Sequence, residues 1–341
     1  MDNIIRIPKS VLSMQIDDII EYIYDYFNGL DIECTEYDEY YSVIVRANQY
    51  TYCEDISQGL NFLGISETDV SEYCPINGNV ALCLSENWLP YAFACLLKRD
   101  GCGDMPMNII HVDDHSDLMS PFIYCDGDRY YNMLSGDSVE FGESESLRKA
   151  VKSGAITIGS MLTVIVYAME EVNVVHIKND ATSQEYDLIK ENNLDEMLFE
   201  RCRRISLGKQ TPHGGKHKYF VTSSWDELKR KINPSFPCVL HIDMDYFNNR
   251  YNASTSWEEN QERHDPSFIL QKQEMDKLIS TIGSLNEHSI IRYVLIGISP
   301  SFYPVEYWKE GLNYLVTELQ RVGIGVGAKI FQSPKGGEAY E

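Results

Sequence analysis

An α/β fold built on a mostly parallel sheet is the architecture this chain predicts, and three features predict it. Short apolar runs of strand length recur from residue 79 onward, segments of helical periodicity alternate with them, and two acidic clusters each follow one of the runs. Strands that are apolar throughout are buried on both faces, as they are when helices cover a parallel sheet. Ligand sites in such sheets lie beyond the carboxyl ends of the strands, and both acidic clusters fall there. The expected arrangement is a three-layer α/β/α sandwich over residues 79–330, preceded by a small acidic α/β appendage over 1–78 and followed by a flexible tail over 331–341.

From the amino end, residues 10–30 carry Leu12, Ile16, Ile19, Ile20, Ile23 and Phe27 at helical spacing, with Asn28 and Gly29 as the stop. Residues 41–46 then read as a strand and 54–62 as a short helix. In the main body, strands are expected at 80–84, 107–112, 172–177, 219–222, 237–242 and 290–298. Helices are expected at 89–97, 146–151, 160–169, 185–199, 224–231, 266–279 and 304–320. His264, Asp265 and Pro266 read as the entry to one of these, with Asp265 as its cap.

The bulk properties exclude several classes of function. A formal charge of −23 repels nucleic acid and anionic membrane, and favours a cationic substrate or partner. Residues 1–80 hold fifteen acidic and three basic side chains, so more than half of the imbalance sits there. Tyrosines mixed among these carboxylates, including Tyr22, Tyr24, Tyr26, Tyr37, Tyr40 and Tyr41, suit either a partly exposed helix face or a surface that binds a peptide bearing Arg or Lys. The amino terminus lacks the basic and apolar regions of a signal peptide. Residues 156–169 are interrupted by Gly159, Ser160 and Thr163 and are too short to span a bilayer, so a cytoplasmic protein is expected. Nine scattered cysteines with no Cys-x-x-Cys pair argue for reduced thiols over a disulfide framework or a thiolate zinc site.

The chemistry is concentrated in His111-Val112-Asp113-Asp114-His115-Ser116-Asp117 and His241-Ile242-Asp243-Met244-Asp245-Tyr246. In extended chain Asp113, His115 and Asp117 point to one side, as do Asp243 and Asp245. Carboxylates gathered this closely repel by about 4 kcal/mol per pair at 4 Å and an effective dielectric of about 20, and a divalent cation removes that penalty. Carboxylate oxygens with one imidazole suit manganese, and less selectively zinc, iron or magnesium. Such an ion lowers the pKa of its water to about 7, which makes hydrolysis the natural reaction class. Asp114 is expected to point away, and His111 and His241 read as core histidines. His176, at the end of another strand, is a candidate for facing the site as a catalytic group.

The wording around these motifs resembles the arginase/deacetylase (ureohydrolase) superfamily. It is most similar to the branch that includes peptide arginases of ribosomal-peptide maturation. The resemblance runs through His111 to Leu118, Ile156 to Leu162, Leu240 to Phe247 and Ile298 to Pro304. It implies one metal position formed by Asp113, His115, Asp243 and Asp245, and a second formed by Asp113, Asp117 and Asp243. Two manganese ions are thus implied, and one ion remains the alternative. The family histidine expected after the preceding strand is replaced by Leu84-Ser85-Glu86-Asn87-Trp88, so Glu86 is the candidate to complete the second position. The implied reaction is hydrolysis of the guanidino C–N bond of an arginine side chain in a peptide, giving ornithine and urea, with Asp117 at the reacting centre and Glu306 as the candidate guanidinium ligand. A single-metal, deacetylase-like amidohydrolase and an inactive peptide-binding relative are the alternatives.

Overall fold

The computed structural model describes residues 3–10, 16–27, 30–47, 52–66, 69–103, 105–195, 202–254, 256–259, 263–287 and 290–325. Leu12, the Asn28-Gly29 stop and the 331–341 tail lie outside them. Among the described residues one mixed sheet of twelve strands organises the molecule. Its spatial order is Ile76–Asn77, Val80–Cys83, Ile291–Gly297, Cys238–Asp243, Met107–Val112, Val172–Ile177, His217–Thr222, Gln184–Asp195, Cys202–Gln210, Ile123–Asp126, Arg129–Asn132 and Ser138–Val139. The six strands from Val80–Cys83 to His217–Thr222 run parallel, and every other pairing is antiparallel.

Side chains alternate across this parallel block and feed two separate cores. Ile109, Val174, Val239 and Leu295 pack on one face with the helices Leu89–Asp100, Ser144–Lys152 and Met161–Ala168. Ile110, Val175, Leu240 and Ile296 pack on the other with Ser57–Leu63, Trp225–Lys231, Phe268–Asn286 and Trp308–Arg321. Because both faces are covered, the central strands carry no exposed polar alternation; they are mostly apolar, and polar residues among them, such as Asn108, His111, His176 and His241, are themselves buried.

The amino-terminal segment forms its own three-stranded antiparallel sheet, ordered Asn3–Pro8, Tyr40–Ala47, Leu30–Glu36, with the helix Ile16–Tyr26. Ile19, Ile23 and Phe27 are buried at its centre. The segment joins the main body through aromatic contacts: Phe27 and Tyr26 lie 5.4 and 6.0 Å from the ring of Phe122, and Arg204 stacks 4.1 Å over that same ring.

Two expectations are corrected here. Residues 185–199 do not form a helix: Gln184–Asp195 is a strand paired on both sides, with Leu188 buried and Lys190 laid 5.4 Å from the Tyr167 ring. Its Glu, Lys and Leu content favours helix locally, but two flanking strands supply ladder partners that outweigh a propensity of a few tenths of a kcal/mol per residue; residues 196–199 lie outside the described set. Asp265 does not cap a helix, because the helix starts at Phe268 after Ser267 and the Asp265 carboxylate instead holds Arg250 at 3.0 Å and Asn248 at 3.0 Å.

Gly59, inside the helix Ser57–Leu63, lies flat against Trp308. A Cβ built there would meet Trp308 at 2.1 Å and Val305 at 2.8 Å, and Trp308 is fully buried. Gly59→Ala in an exposed helix would gain about 1 kcal/mol; here overpacking is expected to reverse the sign and cost about 1–3 kcal/mol. A urea-unfolding midpoint equal to or above that of the parent protein would refute this packing.

Candidate metal centre

Val172–Ile177, Met107–Val112 and Cys238–Asp243 lie side by side in register, so His176, His111 and His241 stand abreast in one row across the centre of the sheet. Two residues further on, and therefore on the same face, Asp113 and Asp243 emerge at the carboxyl ends of their strands. The next strand in line, Ile291–Gly297, ends in a glycine at this level. A Cβ on Gly297 would stand 3.2 Å from Glu86 Cβ and 3.8 Å from Asp243 Cγ, so the missing side chain is the space in which those two carboxylates meet.

Beyond the strands the chain does not stay extended, as the spacing alone had suggested. Each leading aspartate folds the chain back through a side-chain turn. The Asp113 Oδ1 accepts the His115 amide at 2.6 Å, and the Asp243 Oδ1 accepts the Asp245 amide at 3.0 Å. These turns bring His115 Nδ1 to 2.9 Å from Asp245 Oδ2 and 3.7 Å from Asp113 Oδ1. Asp243 is fixed further by the Ser299 hydroxyl, which donates to its Oδ2 at 2.6 Å. Asp117 adopts a left-handed backbone conformation, φ 50°, uncommon for a residue other than glycine. Its carbonyl accepts the amides of Leu162 and Thr163 at 3.1 and 3.3 Å, at the start of the helix Met161–Ala168, and this clamp holds the strained conformation. Glu86 enters from the 3-10 turn Glu86–Trp88.

Two carboxylate-rich groups result, sharing Asp113: Asp113, His115 and Asp245, and Glu86, Asp113 and Asp117. A third combines Asp113 with His111 and His241, and within each group the donor atoms lie within 4.8 Å of one another. These buried clusters can hold a metal ion. The polar bookkeeping fits one, because Glu86 Oε2, Asp113 Oδ2, Asp117 Oδ2 and His241 Nε2 are buried without a hydrogen-bond partner, a costly condition that a cation relieves.

Electrostatics carry the same strain. Burial, reinforced by neighbouring carboxylates, pushes Asp113, Asp243 and Glu86 well above the ordinary carboxylate range, and burial lifts Asp117 to about 7. His115 moves the other way: burial opposes its charge, but the hydrogen bond to and charge of Asp245 raise it to about 9. Deep burial drives His111 down to about 3 and keeps His176 and His241 neutral.

The site residues expected from sequence fare differently. Asp113, His115, Asp117, Asp243, Asp245 and Glu86 converge. Asp114 turns aside, its two oxygens accepting from Asn179 and Asn249 at 3.4 and 3.1 Å. His176 is corrected from a catalytic to a positioning group, because both ring nitrogens are spent on protein partners: Nε2 donates to the Asp113 carbonyl at 3.0 Å, and Nδ1 accepts from the Tyr219 hydroxyl at 2.6 Å. Glu306 is corrected as a free guanidinium ligand, since both of its oxygens already accept from Arg250, at 2.7 and 3.1 Å. Sequence reasoning missed Ser299 and also Asn252, whose Oδ1 accepts the His115 Nε2 proton at 3.1 Å. Ser299 lies within the Ile298 to Pro304 wording and Asn252 just after the second acidic motif, but neither carries a spacing signal of its own.

Among the described residues no helix is long and apolar enough to cross a membrane. No protein-family model matches the chain and no curated protein matches it, so the site's own geometry carries the functional argument.

Proposed function

We propose that this chain is a metal-dependent C–N hydrolase of arginase type, acting on the guanidino group of an arginine side chain carried in a peptide and yielding ornithine and urea. The observation that carries the proposal is the set of orphaned carboxylate oxygens on Glu86, Asp113 and Asp117, gathered beside the Asp113–His115–Asp245 group. An arginase-like three-layer sandwich is consistent with the two cores on opposite sheet faces. Two ions are favoured over one because Asp113 belongs to two distinct acidic groups. An oxygen-rich donor set with one outer imidazole suits manganese, which when bound supplies Lewis acidity and a water with a pKa of about 7.

The protein's own contribution is positioning. Asn252 accepts from His115 Nε2, so a cation that displaced the proton His115 Nδ1 shares with Asp245 would meet a nitrogen already aimed between Asp113 and Asp245. Ser299 and the Asp245 amide stop Asp243 from rotating. The Phe302 ring stands edge-on to His115 at 5.3 Å and walls that side of the centre. The acidic surface, with a net charge of −23, draws a guanidinium cation towards the protein. In the reaction, water adds to the guanidinium carbon, the bond from that carbon to the chain-bearing nitrogen breaks, and the nitrogen leaves protonated.

The test is urea release by manganese-loaded protein from an arginine-containing peptide and from free arginine. Urea and an ornithine-containing product are expected from the peptide. Manganese-loaded protein that releases no urea from either substrate would sink the assignment, and one ion per chain with amide cleavage would favour the deacetylase-like alternative.

A further inference from the structure

The buried histidine pair behind the carboxylates is the strongest feature that the proposed site leaves unused. His111 and His241 stack with ring centroids 4.9 Å apart and their Nδ1 atoms 2.7 Å apart. His111 Nε2 faces the His115 carbonyl at 3.1 Å, and a carbonyl only accepts, so that nitrogen carries a proton. In the neutral ring that is the one proton, and across the 2.7 Å contact only one of the two Nδ1 atoms can carry a hydrogen. His111 Nδ1 is therefore the bare acceptor, His241 Nδ1 the donor, and His241 Nε2 a lone pair. That lone pair is fully buried, has no partner, and lies 3.9 Å from the equally orphaned Glu86 Oε2.

We propose that His241 Nε2 is a metal ligand, supplying an imidazole to the cation position that Glu86, Asp113 and Asp117 surround. Donors about 2.1 Å from one ion can be separated by up to about 4.2 Å, so the 3.9 Å gap between His241 and Glu86 admits a shared ion without moving the strand of the one or the turn of the other. The chain His115 carbonyl, His111, His241 then acts as an outer hydrogen-bond support that fixes the ligating tautomer, the usual way a protein orients a metal-bound imidazole. The inference rests on the metal-centre proposal, and the experiment separates the two.

Protein labelled with 15N-histidine and loaded with manganese is examined by pulsed electron paramagnetic resonance. Two directly bound imidazole nitrogens are expected, from His115 and His241. His115→Ala, which alters a partly exposed side chain, should lose one coupling and keep the other; His241→Gln should lose the complementary one. Manganese bound with no imidazole coupling in His115→Ala would overturn the role of His241 and leave the metal centre standing. No protein-bound manganese in the unaltered chain would overturn both.

Discussion

Asp113→Asn is expected to abolish manganese binding and lower urea release from an arginine-containing peptide by about a thousandfold, the equivalent of about 4 kcal/mol in the barrier. Asp113 carries the largest effect because it is the one residue common to all three groups of candidate ligands. Asparagine keeps the Oδ1 that accepts the His115 amide, so the turn survives while the charge is lost. The substitution also removes one of several buried, mutually repelling carboxylates. The metal-free variant should therefore melt at or above the temperature of the metal-free parent at pH 8, and this distinguishes loss of a ligand from loss of the fold. Asp114→Ala is the matched control: among the described residues its carboxylate accepts from Asn179 and Asn249, and activity should stay within about threefold, the consequence of a change below 1 kcal/mol. Equal losses in the two variants would refute the central place given to Asp113.

Parts of this arrangement are legible in the sequence for a definite reason. The bounds of Met107–Val112 and Val172–Ile177 coincide with the expected ones, because a strand covered on both faces is rich in apolar residues on both sides and stands out from its polar flanks. The antiparallel extension was opaque. Cys202–Gln210 holds Cys202, Ile205 and Ser206 buried among residues that are partly or fully exposed, and such a mixture has no clean period. In the site, a spacing of two residues announced the carboxylates, since that spacing lets an aspartate bond the amide two residues on. The histidine row was not announced. His111 and His241 lie 130 residues apart, and their contact depends on the register between strands, which no local pattern encodes. Glu306 illustrates the converse: its place after a strand suggested a free carboxylate, while its partner Arg250 comes from a loop 56 residues earlier.

Metal removal should have an effect on stability that grows with pH. In the metal-free protein Asp113, Asp243, Glu86 and Asp117 titrate above their unfolded values of about 3.9 to 4.3, so above about pH 4 the folded state binds more protons than the unfolded one. The stability from these groups is complete below their unfolded pKa and is lost as pH rises through the folded values, about 7 for Asp117. His115, raised to about 9, has the same sign over a higher window, from about 6.5 upward. His111, His176 and His241 have the opposite sign, since their folded values are depressed: their contribution is present above about 6.5 and is lost as pH falls. A bound cation replaces the protons that the carboxylates would otherwise need, and so cancels the loss at high pH without touching the histidine contribution at low pH. Manganese at 100 times its dissociation constant adds about 2.7 kcal/mol, a rise in Tm of roughly 4 °C for a chain of 341 residues. Melting curves recorded with manganese and with a chelator from pH 5 to 8 should therefore converge at the acid end and separate progressively towards the alkaline end. A constant gap across that range would mean that the ion does not compete with protons for these carboxylates, and the centre would then have to lie elsewhere in the protein.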